Sequence, residues 1–247
     1  MSKVALVTGA AQGLGFVISQ SLIDAGYSVV VTDINIEEAS KAVKQLDPSV
    51  EKAIAIKLDV MNKQDFINGL DSTLKHFGRC DVLVNNAAMT PTTAVMDITP
   101  EEFSQVLDIN LRGNFLGCQV FGQHFANEGF GRIINLSSLA GQMGGTASGA
   151  HYASSKAGIV TLTKIFARQF ASDGVTVNAI APGPVDVPSV REKVPAEKLE
   201  HIINNMIPVK AMSNPGFIGS MVVMLASAEA NTVTGATWDI NGGIYMR

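Results

Sequence analysis

Short β-branched runs alternate with longer amphipathic segments along the whole chain, and this alternation limits the fold more than any other feature. VALVT (4–8), YSVVVTD (27–33), AIAIKLD (53–59), DVLVN (81–85), GRIINLS (131–137), VTVNAIA (175–181) and ATWDI (236–240) read as strands. Residues 13–25, 36–45, 65–77, 101–127, 150–171 and 217–227 read as helices. Strands that are apolar at nearly every position are buried on both faces, and the helices between them supply the crossovers that parallel strands need. Right-handed crossovers then give a doubly wound α/β fold, whose ligands bind beyond the C-terminal ends of the strands.

The pattern weakens between Pro182 and Asn214, which hold five of the nine prolines. It then resumes, so residues 183–214 read as a substrate-side loop with short helices, within one domain spanning residues 1–247. The net charge of −4 argues against a nucleic-acid-binding surface. No apolar run approaches the ~20 residues of a membrane span. The opening MSKVALVTGA lacks the long apolar stretch of a secretory signal. Cys80 and Cys118 are too far apart for a CxxC motif, and His76, His124, His151 and His201 show no metal-ligand spacing. The expectation is a cytoplasmic protein with two reduced thiols and no metal. Charged residues make up only 16% of the chain, against a usual ~25%, so part of the surface is expected to be covered by other subunits.

TGAAQGLG, Thr8 to Gly15, follows a strand and opens a helix. Gly9 can make the tight turn, Gly13 can let a phosphate approach the backbone, and Gly15 allows close helix–strand packing. The free N–H groups of the helix start, at Gln12 to Leu14, suit a pyrophosphate. Asp33 ends the second strand, 18 residues after Gly15. A carboxylate there can accept hydrogen bonds from ribose hydroxyls and repels a 2′-phosphate. Gln12 and Ile34 stand where a basic residue would favour NADP, so the cofactor expected is NAD, with NADP the lesser alternative. Asn35 can cap the next helix, which leaves Asp33 available. Asp59-Val60 at the end of the third strand can meet an adenine edge, and Asn85-Asn86-Ala87-Ala88 ends the fourth strand on the same crevice.

Tyr152 and Lys156 lie four apart on one helix face. A phenol is a poor base at neutral pH, and a nearby ammonium favours the phenolate, so the pair is a candidate proton shuttle. Ser137 and Ser138 end the fifth strand, where a hydroxyl can hydrogen-bond a substrate carbonyl or alkoxide, or simply cap a turn. Asn110 is a polar residue among Val106, Leu107, Ile109 and Leu111. It can bond a helix carbonyl or hold a water in a proton path.

TGAAQGLG, NNAA, Asn110, the Ser137-Ser138 pair, YASSK (152–156), APG (181–183) and the closing DINGG (239–243) occur in the order seen in the short-chain dehydrogenases/reductases. The chain resembles that family over essentially its whole length. The resemblance implies one Rossmann-type domain with a seven-stranded parallel sheet, and a catalytic set of Asn110, Ser138, Tyr152 and Lys156. In that set Tyr152 is the acid/base. Lys156 lowers its pKa and holds the nicotinamide ribose, Ser138 polarises the carbonyl, and Asn110 supports a proton relay. Cofactor contacts carry over to Pro182, Gly183 and Val185. The family also implies a homotetramer, built through residues 101–127, 150–171 and the end near Trp238. Three positions depart from the pattern. Ala88 replaces a glycine, and Val187 stands where many members have Thr. The Ser138-to-Tyr152 spacing is 14 rather than the commoner 13, with the extra residue placed in the glycine-rich stretch 141–149.

The resemblance implies a small alcohol or ketone as substrate, in a pocket lined from Ser138, Met143, Gly145, Tyr152 and Pro184, with Met89, Gly144 and Val190 beside them. The nearest-looking relatives are 3-oxoacyl-[acyl-carrier-protein] reductases and broad secondary-alcohol dehydrogenases. The former usually use NADPH and dock an acidic carrier through basic residues, whereas this chain has Gln12 and Asp173 at the corresponding places. Arg132 keeps a basic residue of that docking set, beside the ordinary reading of a surface turn residue, and Asp186 can bind a polar substrate or, as is more usual, stand as a solvated loop carboxylate. A non-catalytic NAD-sensing protein on the same fold would be expected to lose Tyr152, Lys156 or Ser138, and all three are present.

Overall fold

The computed structural model describes residues 2–49, 51–145 and 149–247. Seven parallel strands form one sheet in the order β3-β2-β1-β4-β5-β6-β7. The strands are β1 (Val4–Thr8), β2 (Ser28–Asp33), β3 (Ala53–Lys57), β4 (Val82–Asn85), β5 (Gly131–Leu136), β6 (Val175–Pro182) and β7 (Thr237–Ile240). The chain winds outward from β1 to β3, then returns to place β4 on the other side of β1. That reversal opens a crevice between the ends of β1 and β4, the usual ligand site of such sheets.

Each face of the sheet carries its own core. On one face, α1 (Gly13–Asp24), α2 (Ile36–Leu46) and α10 (Pro215–Ala226) cover Ala5, Val7, Val29, Val31, Val82 and Val84. On the other, α3 (Lys63–Phe77), α5 (Gly113–Glu128) and α7 (Ala150–Phe170) cover Leu6, Val30, Leu83, Ile133 and Val177 with a cluster of Phe66, Phe121, Phe125, Phe166 and Phe170. Full burial of such side chains contributes about 2 kcal/mol each. The continuous apolar strands follow from this covering of both faces.

The helix expected over residues 101–127 is interrupted. It consists of α4 (Pro100–Leu107), a π-helical turn over Asp108–Arg112, and α5. The wider turn centres on Asn110, whose side chain is engaged outside the helix, and π-bulges of this kind occur mostly at functional sites. The glycine-rich stretch after Ser138 opens with a short helix, α6 (Ala140–Met143), instead of a loop. Residues 146–148, where part of that stretch falls, lie outside the described residues. The proline-rich segment contains α8 (Pro188–Lys193) and α9 (Ala196–His201), as the weak periodicity suggested.

Arg132 is corrected from surface to core. It lies on β5 at 2% exposure, and its guanidinium donates to the carbonyls of Ser227 (3.0 Å), Gly131 (2.8 Å) and Gly174 (3.2 Å) while stacking over Phe130. Cys80 and Cys118 are free and buried, and burial pushes the Cys118 thiol up to about 12. No helix among the described residues is long and apolar enough to cross a membrane.

Candidate active site

The glycine loop is fastened to β4 by short polar side chains. Thr8 Oγ1 accepts the backbone N–H groups of Asn86 (3.0 Å) and Ala87 (3.1 Å). Asn86 Nδ2 donates back to the carbonyls of Thr8 (2.9 Å) and Gly9 (3.0 Å). Asn86 therefore acts on the loop rather than reaching into the crevice with its amide. A Cβ on Gly15 would stand 2.5 Å from both that amide and the Gly9 carbonyl, so the loop closes only over glycine. Gly13 has φ +58° and nothing within 4 Å of where its Cβ would be. That open face lies at the start of α1, where Gln12 is extended and makes no side-chain cap. Unpaired N–H groups at a helix start beside an open approach fit a pyrophosphate, with Leu14 the next residue in the turn.

Asp33 closes β2 at the far end of this crevice. One of its oxygens accepts the Asn35 N–H (3.1 Å), and Asn35 caps α2 through Glu37 and Glu38, as the spacing implied. Ile34, beside it, is exposed. Lys57 on β3 is the in-register neighbour of Asp33, a cation that spacing alone did not bring here. Asp59 is partly engaged: Oδ1 accepts the Met61 N–H (2.9 Å) and its own N–H donates to Asp65 (2.9 Å). Val60 packs against Gly113, the first residue after the π-turn. Gly183 binds the Ile240 carbonyl (2.8 Å), Pro182 accepts the Leu139 N–H (2.8 Å), and Val185 bridges to Ser213. These bonds hold the end of β6 against both β7 and the start of α6.

Tyr152 and Lys156 sit in the first half of α7, with Lys156 Nζ 5.6 Å from the Tyr152 ring centre. Lys156 is 3% exposed and donates to the Leu136 carbonyl (2.6 Å). Burial pulls its ammonium down from 10.5 to about 8. Burial raises the Tyr152 phenol above its ordinary value, and the adjacent Ser138 hydroxyl offsets part of that rise. The lowering by Lys156 expected from sequence is not the net direction, because desolvation dominates. The two serines divide their work. Ser137 is buried and donates to the Lys156 carbonyl (2.8 Å), whereas Ser138 is half-buried, accepts the Ala140 N–H (3.1 Å) and stands against the Tyr152 phenol.

Asn110 is 1% exposed and clamps three segments. Oδ1 accepts the Met89 N–H (2.8 Å), and Nδ2 donates to the Met89 carbonyl (2.9 Å) and to Ser155 Oγ (3.0 Å). Ser155 in turn donates to the Tyr152 carbonyl (2.7 Å). Asn85, Asn110, Asn114 and Lys156 line part of a cavity of about 10 Å³, close to the room one water needs. Of the residues expected at the substrate, Met143 is 42% exposed, Gly145 has φ +70°, and the Pro184 carbonyl accepts the Ser213 N–H. Asp186 is held bidentately by Arg191 (2.6 and 2.8 Å), so it stays a loop carboxylate. Thr8 and Ser155 were not singled out from sequence, because their roles arise from contacts across the crevice; Met89 was expected beside the substrate, and its backbone is held by Asn110. No group of metal-ligating residues occurs among the described residues.

A family profile described as enoyl-(acyl carrier protein) reductase matches residues 9–245. The chain is 38% identical to the acetoacetyl-CoA reductase of Rhizobium meliloti (strain 1021), over the full length of both. It is equally 38% identical to that of Shinella zoogloeoides, again over both full lengths. Its identity to the 3-oxoacyl-[acyl-carrier-protein] reductase FabG of Staphylococcus epidermidis is 36%, also end to end.

Proposed function

The chain belongs to the short-chain dehydrogenases/reductases, and on that premise we propose that it interconverts a ketone and a secondary alcohol with NAD(H), Tyr152 moving the proton. The observation that carries this reading is the grouping of Ser138, Tyr152 and Lys156 at the edge of a crevice whose other end is the open glycine loop and Asp33. When bound, the nicotinamide supplies the hydride. The rest falls to side chains. Ser138 donates a hydrogen bond to the carbonyl oxygen, and Tyr152 delivers the proton to it. Lys156 keeps positive charge beneath the phenol, and Asn110 holds the Met89 segment and Ser155 in place around it. A raised phenol is protonated at neutral pH, which suits an acid and therefore the direction of ketone reduction.

The names of the relatives favour a second, narrower reading, in which the ketone is the 3-oxo group of a short acyl thioester. Between the two carriers in those names, coenzyme A fits better than a carrier protein. Arg132 is buried and committed to carbonyls, and Asp173 is exposed where a docking cation would be wanted. Apolar side chains on the outer faces, Phe103 on α4, Phe115 on α5 and Ile165 on α7, support a homotetramer.

The test measures NADH and NADPH oxidation with acetoacetyl-CoA and with a panel of small ketones. Faster turnover with NADH is expected, and preference for NADPH overturns the reading of Asp33. Tyr152→Phe is expected to bind NADH normally and lose about a thousandfold in kcat. Turnover at the wild-type rate overturns Tyr152 as the acid/base.

A further inference from the structure

A buried histidine that the catalytic reading does not use lies directly before Tyr152. His151 is fully buried. Its Nδ1 accepts the Tyr152 backbone N–H at 2.9 Å. That N–H belongs to the first turn of α7, among the donors a helix leaves without an intrahelical partner. Gly149, at the N-cap position, has no side chain to take it. A side chain at Gly149 would collide with the imidazole. The glycine thus leaves room for the ring to fold back over the helix start.

The other ring nitrogen faces α4. Nε2 lies 3.3 Å from Glu102 Oε1, off the line of a well-formed hydrogen bond, and has no other partner among the described residues. The same carboxylate oxygen accepts the Thr93 hydroxyl at 2.7 Å. Thr93 lies on the segment after β4, which also touches α7 where the Pro91 carbonyl accepts the Gly149 N–H (3.3 Å). The Thr93 and His151 contacts hold the Glu102 carboxyl below its ordinary value, so the group facing Nε2 is anionic. A neutral imidazole has a single N–H. With Nδ1 accepting and a carboxylate facing Nε2, that proton belongs on Nε2.

We infer that His151 is a positioning residue for Tyr152: Nδ1 caps the helix turn that carries the phenol, and Glu102 selects the tautomer that can do so. The inference rests on the reading of Tyr152 as the acid/base. On this reading α4 and the segment after β4 act on catalysis only through His151. They set the orientation of a ring whose neighbour in sequence moves the proton.

Two measurements on the full-length protein test it. In long-range ¹H–¹⁵N imidazole spectra of histidine-labelled protein, the His151 signals are those that persist in His76→Gln, His124→Gln and His201→Gln, each of which removes one of the other three sets. A proton on Nε2 and a hydrogen-bonded, unprotonated Nδ1 are expected; a proton on Nδ1 overturns the inference, whether or not His151→Phe folds. In kinetics, His151→Phe fills the space without an acceptor. It is expected to lower kcat about tenfold with unchanged KM for the cofactor. His151→Asn, which restores an accepting oxygen, is expected to recover most of that loss. A folded His151→Phe with wild-type kcat overturns the positioning role. Tyr152→Phe separates the two readings. If it is inactive while His151→Phe is fully active, only the positioning role falls; if it is fully active, the catalytic role falls and takes the positioning role with it.

Discussion

The two halves of the crevice are built by different means. On the cofactor side, Thr8, Gly9, Gly15 and Asn86 lock β1 to β4 through short polar chains and backbone, within a few residues of two central strands. On the substrate side, segments outside the sheet hang on single contacts: Met89 on the Asn110 side chain, Thr93 on the Glu102 side chain, and Val185 on Ser213 through one isolated backbone bridge. On the proposed reading the first half holds the cofactor, and its close contacts leave no room for a side chain at Gly15. The second half is free to be re-tailored, because its shape depends on contacts that can be exchanged one at a time. Local unfolding free energies should differ accordingly, high at the glycine loop and low beyond β6.

The largest expected effect tests the rigidity of the first half. In Gly15→Ala the new Cβ meets the Asn86 amide and the Gly9 carbonyl at 2.5 Å. A backbone carbonyl cannot swing aside, so a loss of about 3 kcal/mol and of NADH binding is expected. Gly13→Ala meets nothing within 4 Å and suffers only the strain of φ +58°, about 1 kcal/mol. Urea unfolding and NADH titration of both variants check the contrast. Equal tolerance of the two would mean that the loop yields, and the comparison would fail on its stronger side.

The same division governs what could be read from the sequence. All seven strands and the turn after β1 were legible, because a doubly covered sheet imposes unbroken apolar runs and a tight strand-to-helix turn needs glycine where backbones approach closely. The break at Asn110 was not, since residues 101–127 keep one helical pattern while the π-turn comes from bonds to Met89 and Ser155 far away in the chain. Arg132 was misplaced for a related reason. Its charge suggested the surface, but the carbonyls of Ser227 and Gly174 that receive it are gathered only by the fold. The direction of the Tyr152 shift was also hidden, because spacing places a lysine on the right face but says nothing of burial.

A smaller effect arises where the halves meet. Lys156 is bonded to Leu136 on the sheet and lies beneath Tyr152. Its ammonium is brought down to about 8 by burial, and a group lowered in this way is charged below that value and neutral above it. Ketone reduction should therefore stay level through neutral pH and decline as pH rises through about 8, while the phenol, raised by its own burial, still carries its proton. Lys156→Met is expected to be slow at every pH and to lack that decline. Rates measured from pH 6 to 10 at saturating cofactor check it. A limb that persists in Lys156→Met would assign the titration to another group.

The smallest effect is expected at the outer edge of the substrate side. Arg191 on α8 grips Asp186 with two short bonds, and each shift supports the other: the carboxyl is held low and the guanidinium high. Both side chains are largely exposed, at 58% and 41%. Water competes for each partner, salt screens the pair, and two long side chains lose freedom to hold it, so exposed pairs add little net stability. Arg191→Ala should leave the melting temperature and NADH affinity unchanged at ordinary ionic strength. Its effect should be confined to the KM of the carbonyl substrate, since α8 follows Pro182 to Asp186 directly from the end of β6. A clear fall in melting temperature would show that this pair anchors the segment. The substrate side would then owe its shape to electrostatics at its rim rather than to the scattered contacts nearer the sheet.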